Sequence, residues 1–288
     1  MTSFFRSLVS SGYGYLVSAH HMIFAYKMNV LLGLFNNVVA LLVQYFLWRA
    51  IFASNSGEFY GFEESQYLGF IGAVIFIKQF TTQGTDRRLA ELIRTGDLVF
   101  KLTKPHGLIF QCFFEALGEL SARLYGLVLI TLLVLVLVGD WLWTSQLPLF
   151  GVSLVLAFII SFQISVIYGS LALWTTNAWG LYLLRRNLFP LLSGQVIALP
   201  LLRQLGASEP TNVTGELVAS GSSVLYHIAI YSPFQAVYQI PANILIQMSP
   251  DSGIYSSLLI QLGWIVLLSL ISSPFIQHIL KSFNIQGA

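Results

Sequence analysis

Apolar residues gather into six long stretches, at 29–52, 67–82, 107–138, 149–174, 188–205 and 254–275, with polar segments between them. A helix needs about 20 mostly apolar residues to cross about 30 Å of hydrocarbon, and each stretch meets that length or comes near it. The pattern predicts an all-α polytopic membrane protein with six transmembrane helices. The second stretch is short and contains Lys78. The third would run about 48 Å at about 1.5 Å per residue, so it is expected to overhang the bilayer by several turns. Its leading part carries Glu115, Glu119 and Arg123, the last two at i,i+4 in the favourable order.

Composition supports the same class. Charged residues make up 9% of the chain and mean hydropathy is +0.76, against about 25% charged residues in ordinary soluble domains. One cysteine, Cys112, excludes an intramolecular disulfide framework and any zinc-knuckle spacing. The N-terminus has a single Arg6 and a Gly-broken apolar run, a poor match to a cleaved signal, and it is read as retained.

Charge is distributed unevenly. In a six-span arrangement Arg6, Lys27, Arg87, Arg88, Arg94, Lys101, Lys104, Arg185, Arg186 and Lys281 fall on one side, with only Arg49 and Arg203 near the other. That other side collects Glu58, Glu63, Glu64, Asp140, Glu209, Glu216 and Asp251. Because Lys and Arg near span ends stay cytoplasmic, both termini are predicted cytoplasmic. A net charge of +2 is too small to imply nucleic-acid binding, and no nucleic-acid partner is expected.

The segments outside the spans have their own character. Residues 4–27 are aromatic and moderately apolar, interrupted by Gly12, Gly14, His20 and His21, which suits an interfacial helix along the lipid headgroups. Residues 207–222 are polar, and 223–247 turn apolar again but are punctuated by Pro233 and Pro241. Each piece between prolines is too short to cross, so an outer re-entrant helical hairpin is expected. The chain then divides into a leading segment 1–27, spans one and two in 28–82, an island at 84–105, spans three to five in 107–205, an outer loop with re-entrant helices at 206–250, span six at 254–275 and a tail at 276–288.

The island, GTDRRLAELIRTGDLVFKLTKP, holds eight of the chain's 26 Asp, Glu, Lys and Arg residues. Thr85 is placed as an N-cap and Asp86 in the first turn, where a negative charge complements the helix dipole. Leu89, Leu92 and Ile93 share one face, with Arg87, Arg88, Glu91 and Arg94 projecting away from it. Gly96 stops the helix, and Lys104-Pro105 breaks the chain again. A short amphipathic helix with a polar face is a docking surface for something soluble; binding of anionic lipid is the other reading.

No GxxxxGK[ST], HExxH or GxSxG pattern occurs, and the five histidines are scattered apart from the adjacent pair His20 and His21. The chain is expected to be no enzyme and to hold no metal or cofactor of its own. Within the spans, Lys78 is expected to snorkel or to pair with a partner subunit, and Asn36, Asn37, Gln44, Gln163, Asn187 and Gln195 offer polar groups for a pathway, a dimer interface or ordinary helix packing.

The run Arg94-Thr95-Gly96-Asp97-Leu98-Val99-Phe100, followed by Leu102-Thr103-Lys104-Pro105 after the second span, resembles type-2 ATP-binding-cassette exporter permeases, in particular bacterial permeases encoded with a separate ATPase. Phe46-Leu47-Trp48-Arg49, Trp174-Thr175-Thr176-Asn177 and Phe283-Asn284-Ile285-Gln286-Gly287 are similar to the family as well, and Ala288 departs from it where a second glycine is usual. The resemblance covers essentially the whole chain. It implies a permease of the bacterial cytoplasmic membrane that pairs with a second copy or a sister permease and is driven by two cytosolic ATPase subunits carrying ATP and Mg. It also implies that 4–27 is an amphipathic elbow and 223–247 the outer re-entrant helices. Arg87, Arg88, Glu91, Arg94, Gly96, Asp97, Lys101 and Lys104 become the ATPase-docking residues, and Asn36, Asn37, Gln44, Lys78, Gln163 and Gln195 the candidates for a pathway or permease interface. The competing readings are an ATP-independent carrier or channel, for which inverted repeats and paired mid-membrane charges are not evident, and a membrane assembly or anchoring protein.

Overall fold

A helix of eighteen residues, Glu64–Thr81, lies at the centre of the bundle. In the computed structural model, which describes residues 2–55, 58–138, 145–173, 178–207, 213–247 and 251–286, the chain runs α1 (Thr2–Ala25), α2 (Lys27–Ser54), a hairpin of two short strands β1 (Glu58–Phe59) and β2 (Phe62–Glu63), and α3 (Glu64–Thr81). Twelve of the eighteen residues of α3 are buried, among them Tyr67, Phe70, Ala73 and Ile77. It is packed by α2, α6, α7 and α11. Protein therefore surrounds it, which lets a helix with Lys78 and Gln79 near its end sit at the centre.

The island follows as α4 (Thr85–Thr95) and α5 (Leu98–Leu102), then α6 (Leu108–Val138) and α7 (Leu147–Ser170). The second half consists of α8 (Ala178–Leu192), α9 (Leu199–Ala207), α10 (Val213–Ile230), α11 (Gln239–Leu245) and α12 (Asp251–Gln286). Among the described residues, four helical segments are long and apolar enough to cross a membrane: Lys27–Ser54, Leu108–Val134, Leu147–Ser170 and Gly253–Gln277. They correspond to the first, third, fourth and sixth apolar stretches. Their outward faces are covered with large apolar side chains, such as Leu31, Phe35 and Val43 on α2 and Leu259, Val266 and Leu270 on α12.

The fifth stretch departs from expectation, since residues 188–205 do not form one helix. Pro190 lies in the last turn of α8, and both Gln195 and Val196 donate their backbone N–H groups to its carbonyl, at 3.0 and 3.3 Å. Gly194 takes φ +78°, a conformation open to glycine, and the chain restarts as α9, whose Leu199 N–H is held by Gln239 Oε1 at 2.9 Å. The boundary expected at 222–223 is also absent: α10 runs straight through it and ends at Ile230, three residues before Pro233. Here helical continuity overrides the change from polar to apolar composition. The apolar piece α11 is buried against α3 and α7.

The glycines of the leading segment do not interrupt α1, which is continuous and packs along α6, with His20 Nδ1 2.8 Å from Ser121 Oγ. Asp140, the Trp174–Asn177 motif, Glu209, Gly287 and Ala288 lie outside the described residues.

Candidate functional site: the locked island and the groove beside it

Helix α4 starts one residue earlier in its capping than the sequence suggests. Gly84, not Thr85, is the N-cap, and its backbone N–H donates to Glu119 Oε2 at 3.0 Å; Thr85 is buried as the first helical residue. The carboxylate does the work a capping side chain would otherwise do, accepting one of the orphan N–H groups of the helix start. Gly96 closes the helix at φ +80°. Beyond it Thr95 Oγ1 donates to Asp97 Oδ2 at 2.8 Å, which fixes the turn into α5.

The apolar face of α4 is turned into the protein. Leu89 and Leu98 are buried with Leu108, Cys112, Ala116 and Leu120 of α6 and Phe158, Phe162 and Val166 of α7. Contact with α7 is backbone-close: a Cβ at Gly169 would stand 2.9 Å from the Asp86 carbonyl oxygen and 2.9 Å from Leu89 Cβ. Only glycine permits this approach.

Ion pairs then fasten the island to the neighbouring helices. Arg88 bridges Glu115, at 3.1 Å, and Glu119. Lys101 of α5 reaches Glu115 at 2.6 Å, Arg123 reaches Glu119 at 3.1 Å and also donates to the Thr82 carbonyl, and Arg185 of α8 reaches Asp86 at 2.5 Å. Arg185 further donates to Ser165 Oγ at 2.9 Å and lies over the rings of Tyr168 and Phe189. Gln111 Nε2 secures the far end of the island through the carbonyls of Lys101 and His106, at 2.9 and 2.7 Å. Nearby, Lys104 sits over the Tyr15 ring, 5.1 Å from its centroid; burial, and then the Glu115 carboxylate, raise that phenol above its ordinary value.

The expected docking residues thus divide into two groups. Arg88 and Lys101 face inward and are occupied by Glu115 and Glu119, so Arg88 does not project away with its neighbours. Arg87, Glu91, Arg94, Gly96, Asp97 and Lys104 are exposed. Between them stand Phe100, 70% exposed, and Val99, 47% exposed. Sequence reasoning missed these two because charge was the signal followed; apolar residues beside a glycine turn were the available clue. It also missed Asp86, Glu115, Glu119 and Arg185 as anchors of the island.

Beside the island lies a groove of about 740 Å³ between α1, the leading half of α2, the end of α3, α4 and α6. Asn37 and Lys78 line it, whereas Asn36 is exposed and Gln44 half-buried further along α2. Gln163 is engaged in packing, donating to Ser269 Oγ at 2.6 Å and to the Ile265 carbonyl at 3.2 Å. Gln195 is half-buried in the turn between α8 and α9. The structure does not bring Gln163 or Gln195 together with Asn37 and Lys78.

A chain whose described residues are almost entirely helical, with several long apolar helices of this kind, is a multi-pass membrane protein. A family model described as ABC-2 family transporter protein matches residues 38–207, more than half of the chain, and the chain belongs to that family. The match spans the island and its anchors on α6, α7 and α8. Comparison with curated proteins finds no match. The chain is accordingly a membrane transport permease.

Proposed function

We propose that this permease is the membrane subunit of a bacterial exporter, working as a dimer with itself or a sister permease and driven by ATP hydrolysis on two separate cytosolic ATPase subunits. ATP and Mg belong to those subunits, and both termini of this chain face them. The observation that carries the reading is the build of α4 and α5: a short helical unit fixed to the bundle, presenting Val99 and Phe100 amid Arg87, Glu91, Arg94, Asp97 and Lys104. An apolar centre with a charged rim is the anatomy of a protein–protein interface. Under this reading α1 is the elbow, residues 84–105 are the coupling region, and residues 223–247, the end of α10 with α11, form the outer re-entrant part.

The mechanism follows from what the island is attached to. Closure of the ATPase pair pushes on α4 and α5, and the push passes to α6 through Glu115 and Glu119, to α7 through the contact at Gly169, and to α8 through Asp86 and Arg185. Three helices move with one lever, which opens a path outward along the permease interface. Purification of the full chain from its own host tests this: a nucleotide-binding ATPase should accompany it in equal amount, whereas a chain that transports alone in ATP-free vesicles would overturn the reading in favour of a carrier.

A further inference from the structure

The groove between α1, α2 and the island has two chemically different walls. On one side α1 and α2 contribute Met22, Ile23, Val30 and Leu34, and the same α2 surface continues outward through Leu31, Leu32 and Phe35, all exposed. On the other side the polar groups are mostly donors. Lys78 Nζ has no hydrogen-bond or ion-pair partner among the described residues, nor does the Arg87 guanidinium. Gln79 lines the same groove, is only 6% exposed, and its Nε2 is buried without a hydrogen-bond partner.

The acceptors on that wall are largely spent. Glu119 already takes the Gly84 N–H and two guanidinium groups, those of Arg88 and Arg123, so two cations share one carboxylate there. Glu91, exposed on α4 one turn from Arg87, is the remaining acid of the lining. The Gln79 amide is enclosed beneath the groove wall, whereas the Lys78 ammonium stands in the lining unmatched, and an anionic oxygen would satisfy it with charge-assisted hydrogen bonds.

We infer that this groove binds an anionic phospholipid of the surrounding leaflet, its phosphate held by Lys78 with Arg87 at the rim, and its acyl chain laid on the α1 and α2 wall. The apolar wall asks for an amphiphile rather than a free anion, and the cationic excess of the lining, Lys78, Arg87, Arg88 and Arg123 against Glu91 and Glu119, disfavours the quaternary ammonium of a zwitterionic headgroup. The inference rests on the membrane placement of the chain and is independent of ATPase docking.

Native mass spectrometry of the detergent-purified full chain tests it, with phosphatidylglycerol, phosphatidylcholine of the same acyl chains, and inorganic phosphate as probes. Phosphatidylglycerol should be retained about tenfold over phosphatidylcholine, because both offer a phosphate to Lys78 but choline adds a cation beside the arginines, and excess phosphate should not displace it. Lys78→Met should bring retention down toward the phosphatidylcholine level. Arg87→Gln, at an exposed position that folding tolerates, should lower it partway, and Arg203→Gln on α9 should leave it unchanged. Equal retention of the two lipids, an undiminished preference in the Lys78 variant, or displacement by inorganic phosphate would each overturn the assignment. Loss of the ATPase interaction with lipid preference intact would strike only the docking reading.

Discussion

Glu119 accepts the backbone N–H of Gly84 at 3.0 Å, so a carboxylate 35 residues further along the chain caps the helix that opens the charged island. The same side chain neutralises Arg88 and Arg123. One buried acid thereby joins the end of α3, the start of α4 and the body of α6.

Removing that charge should loosen all three. Glu119→Gln keeps the shape but leaves Arg123 without its carboxylate and Arg88 with Glu115 alone; because both guanidinium groups are partly exposed, the cost is about 1–3 kcal/mol, below that of breaking a fully buried pair. The thermal midpoint of the purified chain should fall by several degrees, measured by fluorescence-detected size exclusion, with Glu115→Gln giving a smaller drop because the Glu115 carboxylate is less buried.

Gly169 is a steric requirement. Replacing it with valine would press a branched side chain into the Asp86 carbonyl and Leu89, and overpacking of this kind costs about 1–3 kcal/mol. The island should lift from α7, and trypsin should cut faster after Arg87, Arg88 or Arg94 than in the parent chain. Equal cleavage rates would mean that α4 is held without this contact.

Asp86 and Arg185 should show energetic coupling. A double-mutant cycle with Asp86→Asn and Arg185→Gln is expected to return an interaction of about 1–3 kcal/mol, within the range for contacting residues in one network. A coupling near zero would place the hold of Arg185 in its contacts with Ser165, Tyr168 and Phe189 instead.

Deep in the bundle Gln261 of α12 accepts from Ser153 Oγ at 2.9 Å and donates to the Ala236 carbonyl at 2.8 Å, linking α12, α7 and the segment before α11. Hydrogen bonds between membrane helices average about 0.6 kcal/mol and reach about 1.7, so Gln261→Leu should lower stability by about 1 kcal/mol in a bicelle unfolding titration. Its effect on the island should be nil.

Features with a local cause were readable in the sequence. The 3.6-residue spacing of Leu89, Leu92 and Ile93 and the glycine at 96 announce α4 and its end, and the i,i+4 spacing of Glu119 and Arg123 gives their 3.1 Å pair. The overhang expected for the third stretch is where Glu115 and Glu119 sit, although its use as an anchor was not legible. That use depends on partners 14 to 35 residues distant, which only the packing of α4 and α5 on α6 brings together. For the same reason the exposed, arginine-rich face of α4 was drawn too wide: Arg88 reads like Arg87 until its neighbour across the interface is known. The fifth stretch failed as a single helix because Pro190 and Gly194 act with Gln239, a residue 40 positions beyond Leu199.

The central claim is that the outward tip of the island receives an ATPase. Val99→Asp with Phe100→Asp alters two exposed side chains and touches none of the anchoring pairs, so it separates docking from folding. Titrating the purified partner ATPase onto the chain in nanodiscs should show binding weakened at least about tenfold, as for loss of a hot-spot residue, with the thermal midpoint unchanged. Undiminished binding by this variant would contradict the account.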